Sequence, residues 1–310
     1  MPENANICGV VVIYHPGKEV DENLKAMVQE CGRVLIVDNG SAPAIGERLA
    51  AVPGVQLLAL GANLGIAVAL NRGAAWAREN NYQWMVTFDQ DSKPEPGMVA
   101  GLWAAHLRHA VAAVVGPRIL EGGAAGPNYR WVRRHPNWPG LFQRAECREA
   151  DLPEVTMLIT SGSMVDLTVW KDLDGFAEDL FIDYVDIDYC LRVIRTGRKV
   201  AVAADSRLQH KLGARQTGRL LGMDFRPMHH AAFRHYYIAR NRVLVWRRHA
   251  LAVPHWALFD LSFAGYNVLR VLIFESPKRT KIKAMLLGTW DGLWGRNGPC
   301  PEHRIRTLQS

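Results

Sequence analysis

Two aspartates stand two residues apart in Thr87-Phe88-Asp89-Gln90-Asp91-Ser92, directly after an apolar run. At the end of a strand this spacing lets both carboxylates converge on one hard cation. Mg²⁺ or Mn²⁺ takes oxygen ligands and usually retains phosphate or water oxygens, so Asp89 and Asp91, with Gln90 in the same turn, would hold a divalent ion carrying a nucleotide diphosphate. Asp and Ser also favour turns for their own sake, which is the competing account of the same residues.

A second acidic group lies in Phe181-Ile182-Asp183-Tyr184-Val185-Asp186-Ile187-Asp188-Tyr189-Cys190-Leu191-Arg192. Three carboxylates within six residues at a helix start are more than capping requires. If helical, Asp183 and Asp186 share a face, so one can act as general base toward a hydroxyl while another orients the site. His210 follows a strand and is a candidate third metal ligand, with a structural histidine as the alternative. Arg215, Arg240 and Arg242 can meet phosphate, although solvated charge is their default. His229, His230 and His235 lack Cys or Glu partners at fitting intervals and read as interface residues.

Two further loops suit a nucleotide. In Asp38-Asn39-Gly40-Ser41 the carboxylate can accept from a base imide or a ribose hydroxyl, or cap a turn before Pro43. Gly61-Ala62-Asn63-Leu64-Gly65 leads into a helix from Ile66, whose free N–H groups suit phosphate or ribose oxygens. After the first apolar run the chain reads Tyr14-His15-Pro16-Gly17-Lys18, with neither a dinucleotide fingerprint nor a Walker lysine, which counts against dehydrogenases and P-loop enzymes.

The elements that must carry these loops are legible as apolar runs at Ile7 to Tyr14, Val34 to Val37, Val55 to Leu60, Trp84 to Phe88 and Ala112 to Val115. Helix-like stretches separate them: Val20 to Cys31, Ile45 to Ala51, Ala67 to Asn80, and Pro96 to His109 with Pro96 in the first turn. Continuous apolar strands alternating with helices predict an α/β fold with a mostly parallel, doubly covered sheet. In such sheets ligands bind outside the carboxyl ends of the strands, where all four loops fall. Residues 121 to 154 read as an irregular excursion, with regular structure resuming at Val155 to Ile159. A helix over Tyr184 to Arg195 and a last strand at Val200 to Ala203 follow. Three helical segments close the chain, Arg234 to Arg248, Leu251 to Phe274 and Lys278 to Trp290.

The 310 residues suffice for about two domains, and the boundary is expected near 228/229. Five widely spaced cysteines without a Cys-x-x-Cys motif or a signal peptide suggest reduced thiols in a cytosolic protein. The net charge of +7 lies wholly in the last 71 residues, with 12 basic against 4 acidic side chains and four of the ten tryptophans. That mixture suits an anionic membrane surface more than a nucleic-acid groove, with a homo-oligomer contact through the C-terminal helices as the alternative. No stretch is expected to span a membrane, since Pro254, His255, Asp260, Asn267 and Arg270 interrupt the most apolar one.

Taken in order, Asp38 to Ser41, Asn63 to Ala67 with Asn71, Phe88 to Ser92, Gly162-Ser163, Phe181 to Arg192 and His210 resemble the family 2 glycosyltransferases. Leu180 to Asp186, His235-Tyr236-Tyr237-Ile238-Ala239-Arg240-Asn241 and Trp290 to Gly295 are similar to the bacterial rhamnosyltransferases of that family. The resemblance implies a GT-A fold, a dTDP-β-L-rhamnose donor and inversion by single displacement onto a lipid-linked or glycolipid acceptor. It further implies a divalent cation and a cytoplasmic enzyme bound peripherally to the inner membrane. On this sequence Asp38 would recognise the nucleoside, and Tyr14, Asn39, Asn63, Gly65, Ile66 and Asn71 would line the donor site. Asp89, Asp91 and His210 would serve metal and diphosphate. The family's Glu-Asp pair aligns with Val185 and Asp186, so Asp186 is the expected base and Asp183 its rival. A UDP- or GDP-sugar donor and a non-catalytic, membrane-associated nucleotide-binding module are the alternatives.

Overall fold

The computed structural model describes residues 6–120, 129–210, 218–220, 223–225, 231–302 and 304. The chain divides into two compact units. One comprises Met1–Arg133, Arg144–Glu178 and Val185–His210; the other comprises Arg134–Gln143, Asp179–Tyr184 and Lys211–Ser310.

The first unit opens with β1 (Ile7–Ile13), α1 (Val20–Cys31), β2 (Val34–Asp38), α2 (Pro43–Ala50), β3 (Val55–Ala59), α3 (Ile66–Glu79) and β4 (Trp84–Asp89). β1 and β2 are buried at every position, which only a sheet covered on both faces permits. The chain continues through β5 (Ser92–Pro94), α4 (Met98–Arg108) and β6 (Ala112–Leu120). Pro96 precedes α4 rather than entering it, because Gly97, in the left-handed region at φ 83°, forms the cap. Arg130–Arg134 and Phe142–Glu146 pair as β7 and β8, so the expected excursion contains regular structure. Val155 to Ile159, expected to be regular, is irregular. Its N–H groups bond singly to different elements, Val155 to the Val200 carbonyl at 2.8 Å and Thr156 to that of Val132 at 2.7 Å.

The unit closes with β9 (Met164–Asp166), α5 (Leu167–Asp172), α6 (Val185–Arg195) and β10 (Lys199–His210). The eight-stranded sheet runs β3-β2-β1-β4-β9-β6-β10-β5. β1 to β4 are mutually parallel, β9 is antiparallel to both its neighbours, and β5 is antiparallel to β10. Strand order reverses between β1 and β4, since β2 and β3 add on one side and β4 returns to the other. A crevice at such a switch point is where open α/β sheets bind ligands.

In the second unit, α7 (Ala232–His249) packs along α9 (Lys278–Leu293). Gly288 and Gly292 make this possible. A Cβ at either would come within 2.2 Å of the Tyr236 carbonyl oxygen or 2.6 Å of that of Arg240. α8 (Pro254–Phe274) is, among the described residues, the helix long and apolar enough to cross a membrane by length and composition. Pro254 sits in its first turn, where the missing N–H costs nothing. Its interrupting polar residues are buried, so they leave the rest of the helix apolar. Asp260 accepts from Tyr184 Oη at 2.6 Å, Trp246 Nε1 at 2.7 Å and Arg242 Nε at 3.0 Å. Buried Glu275 accepts from Lys281 Nζ at 2.6 Å and forms an ion pair with the Arg270 guanidinium at 2.9 Å. Charges this deep persist only with such partners.

All five cysteines are free and buried, and burial pushes the Cys8 and Cys190 thiols up to about 12. Burial, then the nearby Arg134 cation, lowers the His255 imidazole to about 4. The folded protein keeps this ring neutral while the unfolded chain protonates it near pH 6.5. Stability should therefore be intact above pH 6.5 and fall by about 3 kcal/mol as the pH drops toward 4. His235, lowered chiefly by burial, acts in the same direction. Urea titrations across that window should show a shallower pH slope in His255→Gln than in the parent; equal slopes would sink the assignment.

Candidate active site

At the carboxyl edge of β1 to β4, side chains join one loop to the next. The Tyr14 N–H donates to Gln90 Oε1 at 2.8 Å and that of His15 to Ser41 Oγ at 3.0 Å. Asp38 is buried and its Oδ1 accepts the Ser41 N–H at 2.8 Å, so the capped turn is real. Asn39 Nδ2 donates to Asn63 Oδ1 at 3.1 Å, while Asn39 Oδ1 accepts the Leu64 N–H at 2.9 Å. Asn63 Oδ1 also accepts the Gly65 N–H at 3.1 Å, pinning the entry of α3 at Ile66. Gly40 completes the junction at φ 102°, where a Cβ would lie 2.7 Å from the backbone of Ala62 and Asn63. Asn39 and Asn63 thus tie the loop after β2 to the entry of α3.

Asn71 is spent inside the fold. Its Oδ1 accepts from Trp170 Nε1 at 3.1 Å and the Phe176 N–H at 2.8 Å. Its Nδ2 donates to the Phe176 carbonyl and Glu178 Oε1, both at 2.9 Å. All four of its hydrogen-bonding positions are used.

The Asp89-Gln90-Asp91 turn is braced by groups that carried no individual signal in the sequence. Asn23 Nδ2 donates to the Gln90 carbonyl at 3.0 Å. Buried Ser161 accepts the Asp89 N–H at 3.2 Å and lies 2.5 Å from Ser92 Oγ. Its neighbours Thr160 and Ser163 present carbonyls to the Thr87 hydroxyl. Beside Ser161 opens a small cleft lined by Tyr129, Trp131, Pro117 and Leu158. Register sets His210 opposite Ser92, one residue past Asp91. Only its backbone position is described, and Arg215, His229 and His230 lie outside the described residues.

Asp186 stands in the first turn of α6, where its Oδ1 accepts the Ile187 N–H at 2.9 Å. Cys190, one turn later, lies against the backbone of cleft-lining Leu158. Asp188 fixes the helix, since Arg192 Nε donates to it at 2.8 Å and the same guanidinium reaches the carbonyls of Leu173 and Gly175.

Asp183 shares no helix face with Asp186. α6 begins at Val185, and Asp183 belongs to the second unit with φ 63°, between Phe181 at 65° and Tyr184 at 66°. Three non-glycine residues in the left-handed region need external support. Asn241 Nδ2 supplies it, lying 2.7 to 2.9 Å from the carbonyls of Leu180, Ile182 and Asp183. Arg240 Nη2 donates to the Leu180 carbonyl at 3.0 Å, and Phe181 stacks on Tyr237 at 5.2 Å. Both Asp183 oxygens accept from Arg234, the shorter contact being 2.6 Å. Asn241→Ala should cost about 3 kcal/mol of unfolding free energy, because it orphans buried carbonyls that stabilise strained backbone. A urea melt within about 0.5 kcal/mol of the parent would contradict this.

The family model described as "Glycosyl transferase family 2" matches residues 10–173. Over 303 residues the chain is 28% identical to the dTDP-rhamnosyl transferase RfbF of Shigella flexneri, covering 95% of this chain and 98% of that protein. It is also 28% identical, over 310 residues, to the N-acetylglucosaminyl-diphospho-decaprenol L-rhamnosyltransferase of Mycobacterium tuberculosis, with 87% and 95% covered. Among solved structures, residues 1–349 of S. aureus TarS superpose with a TM-score of 0.59 at 15% identity, covering 97% of this chain and 82% of that one. GalNAc-T7 with UDP, GalNAc and Mn²⁺ gives 0.57 at 14% identity; 79% of this chain is covered, and it spans about half (48%) of that one. At such identities the likeness is one of fold.

Proposed function

The chain belongs to glycosyl transferase family 2 and has a GT-A fold, and from that premise we propose that it is an inverting rhamnosyltransferase. It would move L-rhamnose from dTDP-β-L-rhamnose to a hydroxyl of a lipid-linked or glycolipid acceptor, at the cytoplasmic face of the membrane holding that lipid. What carries the donor assignment is the extent of similarity to two proteins named as rhamnosyl transferases, which spans the C-terminal helices as well as the catalytic sheet. In this reading residues 1–228 perform the transfer and 229–310 serve the acceptor side.

The geometry supports distinct roles for the residues at the sheet edge. Asp38, held in its turn, faces the nucleoside, with Tyr14 exposed beside it and the Asn63 to Ile66 junction framing the pocket. Among the described residues no three His, Cys, Asp or Glu side chains gather as a metal cage. The carboxylates of Asp89 and Asp91 would instead suit an ion that keeps diphosphate and water oxygens, with His210, whose backbone pairs with Ser92, as the further ligand in this reading. A Mg²⁺ or Mn²⁺ ion bound by these residues would supply positive charge to offset that of the leaving diphosphate. Asp186 accepts the acceptor hydroxyl proton as that oxygen bonds to the anomeric carbon. The bond from that carbon to the diphosphate oxygen breaks and its electron pair leaves with the diphosphate, so configuration inverts.

Thermal denaturation with dTDP, UDP or GDP tests the donor, since a ligand of the folded state raises its stability. The expected result is selective stabilisation by dTDP, followed by rhamnose transfer from dTDP-rhamnose to a lipid-linked acceptor. Selective stabilisation by UDP or GDP would discard the donor.

A further inference from the structure

α8 is built inside out. Its buried stripe is Trp256, Asp260, Asn267, Arg270 and Val271, and the charged members are locked into the second unit by the bonds to Tyr184, Arg242, Trp246 and Glu275. Its other side leaves Leu258, Leu261, Phe263, Tyr266, Leu269 and Ile273 exposed, Leu261 at 57% and Leu269 at 58%. Between Leu258 and Ile273 both charged residues, Asp260 and Arg270, are buried, so the exposed face is wholly uncharged. Sixteen residues of helix are about 24 Å long. A continuous apolar face of that length is larger than solvated monomers ordinarily tolerate.

The charges around this face indicate what covers it. Arg247 is exposed before α8, and Lys278, Arg279 and Lys283 after it, while Arg248 is paired with Asp179. Asp260, Glu275 and Asp291 are buried, and Glu302 alone of the acids after α7 is exposed among the described residues. A second copy meeting this face would set cations against cations. An anionic lipid surface would receive the apolar side chains and neutralise the cationic ends together. α9 carries a further exposed apolar row at helical spacing, Leu286, Trp290 and Leu293, with aromatic character suited to an interface.

The geometry points to the outward face of α8 as the surface on which this protein lies flat on an anionic bilayer, its polar stripe anchoring the helix to the second unit instead of spanning. This deepens the lipid-linked acceptor reading and rests on it for its purpose, though not for its geometry. The test is co-sedimentation of the full chain with phosphatidylcholine vesicles, with and without phosphatidylglycerol, for the parent and for Leu261→Glu/Leu269→Glu. Both substituted side chains are exposed, so melting temperature and stabilisation by dTDP should be unchanged. The parent should bind the phosphatidylglycerol vesicles, and the double variant should lose at least about tenfold in bound fraction. Lys278→Glu/Arg279→Glu/Lys283→Glu should abolish the preference for anionic vesicles.

Absence of binding to the anionic vesicles, or binding indifferent to the double variant, would overturn the proposal. So would a dimer that becomes monomeric in the double variant, which would assign the face to a second copy. Resistance to alkaline extraction would overturn it by making α8 a span. A protein that binds vesicles yet ignores dTDP would leave this surface standing while discarding the donor; one that transfers rhamnose without binding vesicles would do the reverse.

Discussion

Asp186→Asn should lower the turnover of glycosyl transfer by about 10³-fold, the size expected for removing a general base, with stabilisation by dTDP retained. The substitution preserves shape and keeps an oxygen able to accept the Ile187 N–H, so α6 should start as before. It removes the negative charge and with it the capacity to take a proton. Asp183→Asn should behave differently. Its carboxylate already accepts from Arg234 with both oxygens, so taking a proton there would require breaking that pair. Loss of the pair should lower stability and leave turnover within about tenfold of the parent. Steady-state rates with saturating donor, measured alongside urea melts, separate the two. If Asp183→Asn stops turnover while Asp186→Asn leaves it near the parent, the base has been placed on the wrong carboxylate.

That contrast marks where sequence reading ran out. The two aspartates are three residues apart, and helical spacing alone put them on one face. What separates them is backbone, because three left-handed residues before α6 keep Asp183 out of the helix. Nothing in the side chains of Phe181, Asp183 or Tyr184 announces this. The support comes from Asn241, about 60 residues away, which sequence shows only as part of a motif without a mechanism. The sheet was legible for the opposite reason. Strands buried on both faces must be apolar throughout, so β1, β2 and β4 stand out by composition, and the loops after them are found by counting. β9 escaped as a separate strand since three residues between antiparallel neighbours leave no periodicity to detect. The outward apolar face of α8 was not legible, because its polar residues read as interruptions of an apolar run, whereas three dimensions collect them on a single buried stripe. Ser161 carried no signal of its own. Its brace on Asp89 depends on the register that sets β9 beside β4.

Asp91→Ala should abolish the part of nucleotide stabilisation that depends on a divalent cation, and should lower turnover by about 10³-fold, in keeping with the several kcal/mol that such charge offset supplies. In the parent, dTDP with Mn²⁺ or Mg²⁺ should raise the melting temperature more than dTDP with a chelator, because the cation and the diphosphate complete each other's oxygen shells. Asp38 and the Asn39–Asn63 junction are untouched by the substitution, so the smaller stabilisation from the nucleoside alone should survive. Asp89→Ala should resemble Asp91→Ala in its metal response. It should leave the turn in place, since the brace from Ser161 is to the Asp89 backbone N–H and not to its carboxylate. Ser161→Ala inverts that logic, keeping both carboxylates while removing the hydroxyl that holds the turn. Its metal increment should weaken without vanishing. Equal stabilisation of the parent by dTDP with and without the chelator would show that the diphosphate is held by protein cations instead. Asp89 and Asp91 would then be turn formers, the alternative that their residue types allowed from the start.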